Sequence, residues 1–173
     1  MTGFSGELPP ARFNLARYCL AQSARERPDK TALTIADGSG YQTLSFAKIE
    51  DIVLRLGSAF RLLGFDPGSR ILIRMGNSFD YAAVFFAANA AELVPIPASS
   101  MLSADEISLI LSDSQAAAVV HDGELDLPPL PGPCRLITPA DIAAFKSGQR
   151  GQYADTNAST PAYMVYTSGT SGR

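Results

Sequence analysis

Residues 69–97 read SRILIRMGNSFDYAAVFFAANAAELVPIP, and their order decides the fold. Ile71, Leu72 and Ile73 form a short apolar run flanked by Arg70 and Arg74, the pattern of a buried strand over Ser69–Met75 whose two arginines sit at solvated strand ends. Asn77, Ser78 and Asp80 follow at a strand-to-helix turn, where capping of the next helix accounts for them. Phe79–Ala91 is apolar on nearly every side. It is interrupted by Glu92 well short of the ~20 residues a membrane helix needs, so it reads as a buried core helix. Leu93–Ile96 is a second apolar strand. Strand, helix and strand in this order predict a right-handed crossover between parallel strands, and with it an α/β fold.

The upstream chain extends the pattern. Asn14 is placed to cap a helix carrying Ala16, Cys19, Leu20, Ser23 and Ala24 at helical spacing, and Pro28 ends it. Thr31–Ala36 and Tyr41–Leu44, separated by Asp37-Gly-Ser-Gly40, read as a hairpin. Ser45 then caps a helix whose Ile49, Ile52, Val53, Leu56, Phe60 and Leu63 form one stripe. Gly64 stops that helix, and the stripe is expected to pack on a sheet.

Downstream the alternation continues. Ser103-Ala-Asp-Glu106 is a capping box opening a helix to about Asp113, which gives Glu106 a structural rather than an acid–base role beside Asp105. Ala116–Val120 is a strand, residues 127–133 form a Pro-rich loop, and a strand near Arg135–Ile137 precedes a helix begun by Thr138-Pro139 and ended near Lys146. Residues 147–160 are polar and expected to be a flexible loop. Ala162–Tyr166 is expected as a last strand that delivers the chain to the carboxyl end of the sheet, where open α/β folds bind ligands.

The 173 residues suit one ordinary domain, with residues 1–13 as a loose arm. A net charge of −3 and 46% hydrophobic residues exclude the basic footprint of a nucleic-acid binder. No basic start followed by an apolar run marks a secretory signal, so a cytoplasmic location is expected. Cys19 and Cys134 are too far apart for a zinc site or disulfide framework and read as core thiols. His121, the single histidine, reads as a solvated loop residue.

The chain closes on Tyr166-Thr-Ser-Gly-Thr-Ser-Gly-Arg173. Consecutive small residues after a strand expose backbone N–H groups, and their hydroxyls add donors, which together make a phosphate cradle. Gly169 and Gly172 are too close, and no Lys follows, for the Gly-x-x-x-x-Gly-Lys P-loop. A flexible linker of the same composition would not need the apolar AYMVY stretch before it.

Met164–Gly172 resembles the start of the AMP-binding signature of the adenylate-forming enzymes, the superfamily of acyl-CoA and aryl-CoA synthetases, luciferases and nonribosomal peptide adenylation domains. The resemblance extends to RPDKTAL from Arg27, the Ser45–Ile73 stretch, GNSFDY from Gly76 and VPIPASSMLSADEISLILSDSQAAAVV from Val94. Pro95–Met101 resembles benzoate-type and other acyl-CoA ligases. Ala90-Ala-Glu92 departs from them by replacing a Gly-containing segment.

The resemblance implies that Thr167, Ser168, Gly169, Thr170, Ser171 and Gly172 embrace the β- and γ-phosphates of ATP. It implies an N-terminal portion of a larger AMP-binding domain. The parent would be a ligase of fatty or aromatic acid metabolism that uses ATP, Mg²⁺ and coenzyme A to make an acyl-adenylate and then a thioester. The family's adenine and acyl pockets, acidic Mg²⁺ ligand and catalytic lysine lie beyond Arg173, so no catalytic or metal-binding residue is expected here, nor activity of the 173 residues alone. Two alternatives are a non-catalytic nucleotide-binding or protein-interaction module and a structural piece whose exposed apolar surface drives homodimerisation.

Overall fold

The computed structural model describes residues 9–37 and 40–167. Its elements in chain order are α1 (Leu15–Glu26), β1 (Thr31–Asp37), β2 (Gly40–Ser45), α2 (Phe46–Leu62), β3 (Arg70–Arg74), α3 (Phe79–Ala90), β4 (Val94–Pro97), α4 (Ala104–Ser114), β5 (Ala118–His121), β6 (Arg135–Ile137) and α5 (Pro139–Lys146). β1 and β2 form the expected antiparallel hairpin. The other strands make a four-stranded sheet in the order β4-β3-β5-β6, parallel at every pair. The α/β reading of residues 69–97 therefore holds.

Residue alternation along the strands divides the core into two layers. Ile71 and Ile73 of β3, Ala118 and Val120 of β5 and Ile137 of β6 face one side, where they pack with α1, α2, α3 and Ile142 of α5. Leu72, Ile96 and Val119 face the other, against Ile107, Ile110 and Leu111 of α4. A parallel sheet covered on both faces reads as an unbroken apolar run, which is why Ile-Leu-Ile at 71–73 has no polar member.

The helix starts follow the local chemistry of the sequence. Asn14, Ser45, Ser78, Ser103 and Thr138 each accept a backbone N–H of the first turn through the side chain. Ser103 and Glu106 complete the expected capping box, and Thr138 and Asp141 form a second one. Asn14 also donates from Nδ2 to the carbonyl of Asn89 at 2.9 Å and to that of Ala154 at 3.3 Å, so one buried amide joins three segments.

The stripe on α2 is buried at Ile49, Ile52, Val53, Leu56 and Phe60 in the layer that covers the sheet, though its main neighbours there are other helices. α2 packs chiefly on α3, then on α1, while α3 lies directly against β3 and β4. Gly57 explains the closeness, because a Cβ there would stand 3.2 Å from the carbonyl oxygen of Ala87.

Two expectations change. Cys19 is exposed, since the buried stripe of α1 is Ala16, Leu20 and Ala24, and Cys134 is half-buried in the loop before β6. Burial pushes the Cys134 thiol up from its ordinary value. His121 ends β5 instead of lying in a loop. Its Nδ1 accepts the N–H of Gly123 at 3.0 Å, which assigns the proton to Nε2, and Nε2 donates to the carbonyl of Leu125 at 2.5 Å.

Residues 147–160 hold no helix or named strand, yet they are fastened along the helical layer. Gly151 N donates to Leu54 O, Arg61 to Gln152 O, and Ala154 N to Ala90 O. Arg150 and the Tyr153 hydroxyl both engage Glu50. Burial, then the Glu50 charge, drives the Tyr153 phenol far above its ordinary value. Within the expected N-terminal arm, Phe13 exchanges hydrogen bonds with Thr156: Phe13 N donates to Thr156 O, and Thr156 Oγ1 to Phe13 O. Residues 1–8 of that arm lie outside the described chain. Among the described residues no helix is long and apolar enough to cross a membrane.

Candidate functional site

Of the six residues singled out as a phosphate cradle, Thr167 is described and exposed; Ser168, Gly169, Thr170, Ser171 and Gly172 lie outside the described residues. The site is therefore read from the chain that leads into it and from the strand ends nearby.

Residues 161–167 do not form the expected strand. They keep a strand's two-residue alternation: Ala162, Met164 and Tyr166 are half-buried, Tyr163 and Val165 exposed. A ladder needs several backbone ties to the sheet edge, whereas among the described residues Met164 N donates to Pro95 O at 3.1 Å. The reason lies in β4. Val94 N and Ala98 N donate to Ser69 O and Ile73 O beside β3, so the alternate positions, Pro95 and Pro97, face the free edge. Proline has no N–H, and an edge of two prolines offers carbonyls but no donors to a fifth strand.

Ala162 shares a cleft with Leu93, the residue before β4. Together with the Met164–Pro95 bond, this sets the segment alongside β4 in the same direction and brings Thr167 toward the carboxyl end of β4. Side chains supply the remaining anchorage. Met164 and Tyr166 pack on the layer of α4, and Tyr163 lies 5.9 Å from the ring of Phe85 on α3. The Tyr166 hydroxyl donates to Oδ2 of Asp113 at 2.5 Å. Burial, then this bond and the Asp113 charge, hold the Tyr166 phenol above its ordinary value.

The carboxyl ends of β3 and β5 carry two polar centres that the sequence reading passed over. Arg74, expected at a solvated strand end, is 2% exposed. It shares a strand face with Leu72, two residues back, and donates from Nη1 to Ser99 O at 2.6 Å, from Nη2 to Leu102 O at 2.8 Å and from Nε to Asp126 O at 3.2 Å. Its charge is thus taken up by three carbonyl dipoles belonging to the turn after β4 and the loop after β5. The two-residue spacing from Leu72 was the available signal for its burial.

Asp122 is the second centre. Its Oδ2 accepts the N–H of Gly76 at 2.6 Å, and Oδ1 those of Glu124 at 3.0 Å and Leu125 at 3.3 Å. Partial burial raises its pKa, but the three N–H bonds and His121 nearby outweigh that, and the carboxyl titrates below its ordinary value. Its signal was the Asp-Gly pair after an apolar strand. Between the segments that follow β3 and β4 opens a shallow cleft of about 220 Å³ lined by Met75, Asn77, Tyr81, Ala98, Ser99 and Ser100.

The remaining candidates are structural. Ser78 caps α3, Asp80 pairs with Lys146 of α5, and Glu106 is held by its capping box. Among the described residues no group of three or more His, Cys, Asp or Glu side chains could hold a metal ion.

A family model described as AMP-binding enzyme matches residues 20–173. The chain is 28% identical over 147 residues to the 4-hydroxybenzoate–CoA/benzoate–CoA ligase of Rhodopseudomonas palustris, covering 76% of this chain and 27% of that protein. It is 25% identical over 174 residues to surfactin synthase subunit 3 of Bacillus subtilis, covering 98% of this chain and 13% of that protein. Among solved structures, an artificially fused adenylation–PCP di-domain synthetase, NpsA-ThdA from Klebsiella oxytoca, superposes with a TM-score of 0.79 at 18% identity, over 92% of this chain and 29% of that one. At that identity the likeness bears on the fold alone. The chain spans 27% and 13% of the lengths of the two curated relatives.

Proposed function

The chain belongs to the AMP-binding enzyme family, and from that premise we propose that it forms the N-terminal portion of the large domain of an ATP-dependent carboxylic acid–CoA ligase. The observation that carries this reading is the family match itself, which runs through Thr167 to the closing Gly- and hydroxyl-rich motif. In the proposed reaction the carboxylate oxygen attacks the α-phosphorus of ATP. The bond to the bridging oxygen breaks, pyrophosphate leaves with that electron pair, and an acyl-adenylate remains. The thiol sulfur of coenzyme A then attacks the acyl carbon and displaces AMP.

Thr167, Ser168, Gly169, Thr170, Ser171 and Gly172 are assigned the β- and γ-phosphates. Their backbone N–H groups and hydroxyls hold the departing pyrophosphate while charge builds on it. Mg²⁺, when bound, offsets phosphate charge, and its ligands are assigned outside the described residues. The 173 residues alone are expected to catalyse neither half-reaction, and ATP–pyrophosphate exchange above buffer background by this chain overturns that expectation.

A second reading is favoured by one observation, the match to surfactin synthase subunit 3 over 98% of the chain. On it, the acyl group passes to a carrier-protein thiol in place of coenzyme A. The experiment is acid-dependent ATP–pyrophosphate exchange by the protein at its native length, with aromatic and aliphatic acids, followed by offering either thiol. A thioester on free coenzyme A supports the ligase, one on a carrier protein the second reading. Absence of acid-dependent exchange sinks both.

A further inference from the structure

We infer that Tyr166 is a positioning residue for the phosphate motif, and that its hydroxyl on Asp113 anchors the chain at the point where it enters Thr167. This rests on the nucleotide-binding reading of residues 167–172. The edge of β4 faces residues 161–167 with Pro95 and Pro97, which supply no donors, and the described backbone ties Met164 N to Pro95 O. A segment attached so sparsely by its backbone needs side chains to hold its height and direction against the sheet. Met164 gives apolar contact with the α4 layer, which resists pulling away but tolerates sliding. Tyr166 gives a directional bond, 2.5 Å from its hydroxyl to Asp113 Oδ2, at the last residue before the motif.

Asp113 is well suited to receive it. It lies in the final turn of α4, a helix whose Ile107, Ile110 and Leu111 are buried against the sheet, so the acceptor is mounted on a rigid element. The other end of α4 follows the Ser99–Leu102 turn gripped by Arg74. The anchor for Thr167 is thereby referred to the same sheet as the strand ends around the cleft. Anionic Asp113 accepting a phenol O–H also has a graded series of replacements: Asn keeps an acceptor oxygen, Ala keeps none.

The test uses the protein at its native length, with amide exchange over residues 164–167 read by mass spectrometry and by NMR, and millimolar ATP as the probe. Tyr166→Phe and Asp113→Ala are expected to speed exchange at Val165–Thr167 about five-fold, as loss of one partly exposed hydrogen bond allows. The double variant should add nothing beyond either single one, and Asp113→Asn should restore most of the protection. ATP should protect Thr167 less in both single variants than in the parent chain, while the thermal midpoint stays nearly fixed; a purely structural role would move the midpoint and leave the ATP effect unchanged. Parent-like exchange in both variants overturns the anchor. Faster exchange in the variants, with no ATP protection in the parent chain, supports the anchor and overturns the nucleotide reading instead.

Discussion

Arg74 donates from Nη1 to the carbonyl oxygen of Ser99 at 2.6 Å, joining the end of β3 to the turn after β4. The same guanidinium reaches Leu102 and Asp126, so three stretches of backbone converge on one 2%-exposed side chain. Arg74→Met fills the same space and removes all three donors, freeing the part-buried carbonyls of Ser99, Leu102 and Asp126. We expect a loss of about 2–4 kcal/mol in urea unfolding, with Arg74→Lys recovering part of it, because an ammonium cannot match the planar fork to three acceptors. A change below about 0.5 kcal/mol in Arg74→Met would show that the carbonyls are otherwise satisfied.

Asp122 closes the neighbouring strand end through three backbone N–H bonds. Its folded-state pKa lies below the ordinary 3.8, so its stabilisation is complete above the unfolded value and is lost as pH falls through the folded one. Asp122→Asn retains one acceptor oxygen and turns an NH₂ toward a donor that the second oxygen served. The variant should lose about 1–2 kcal/mol at neutral pH, and the gap from the parent chain should narrow below about pH 4. A gap that is constant from neutral to acid pH would assign the loss to geometry and not to charge.

How much of this was legible beforehand depends on how local the cause is. The capping box of Ser103 and Glu106 spans three residues, and the parallel strands announce themselves by unbroken apolar runs, so both were readable. The fate of Ala162–Tyr166 was not, because it turns on which face of β4 presents Pro95 and Pro97, a register that exists only once β3 and β4 pair. Arg74 was misjudged for the same kind of reason. Its partners stand 25, 28 and 52 residues away, and nothing next to it in the chain foretells them. Cys19 shows the limit of helical spacing: the stripe at Ala16, Leu20 and Ala24 is too narrow to include it. Of the candidate site, the motif itself was legible as composition, while its approach through Tyr166 and Asp113 required the fold.

The contact of α2 with α3 depends on Gly57, where a Cβ would meet Ala87 O at 3.2 Å and the Ala90 Cβ at 3.5 Å. A helix backbone cannot yield as a flexible side chain would. Gly57→Ala adds helix propensity against this crowding, and the two effects oppose each other. Gly57→Val adds branching with no such compensation and should destabilise by about 1–3 kcal/mol, measured by thermal or urea unfolding. A neutral Gly57→Val would mean that the helices can separate freely, and that the close approach contributes little.

Glu92 occupies the sharp turn between α3 and β4 with φ of 64°, in the left-handed region. Its backbone is fixed there from both sides: Glu92 N donates to Asn89 O at 3.2 Å, and Glu92 O accepts Gly68 N at 2.7 Å. These bonds connect the turn after α3 to the turn before β3, so the conformation cannot relax without releasing both. For a residue with a Cβ that conformation costs about 1–2 kcal/mol, while Gly adopts it freely at the expense of a more disordered unfolded chain. The first effect is the larger, and Glu92→Gly should stabilise the fold by about 0.5–1 kcal/mol. The departure at Ala90-Ala-Glu92 from a Gly-containing segment thus has a physical cost at one residue. Glu92→Ala discriminates the cause: it removes the carboxylate but keeps the Cβ, so it should give none of the gain. Equal stabilisation by Ala and Gly would trace the effect to the side chain's charge and refute backbone strain at this turn.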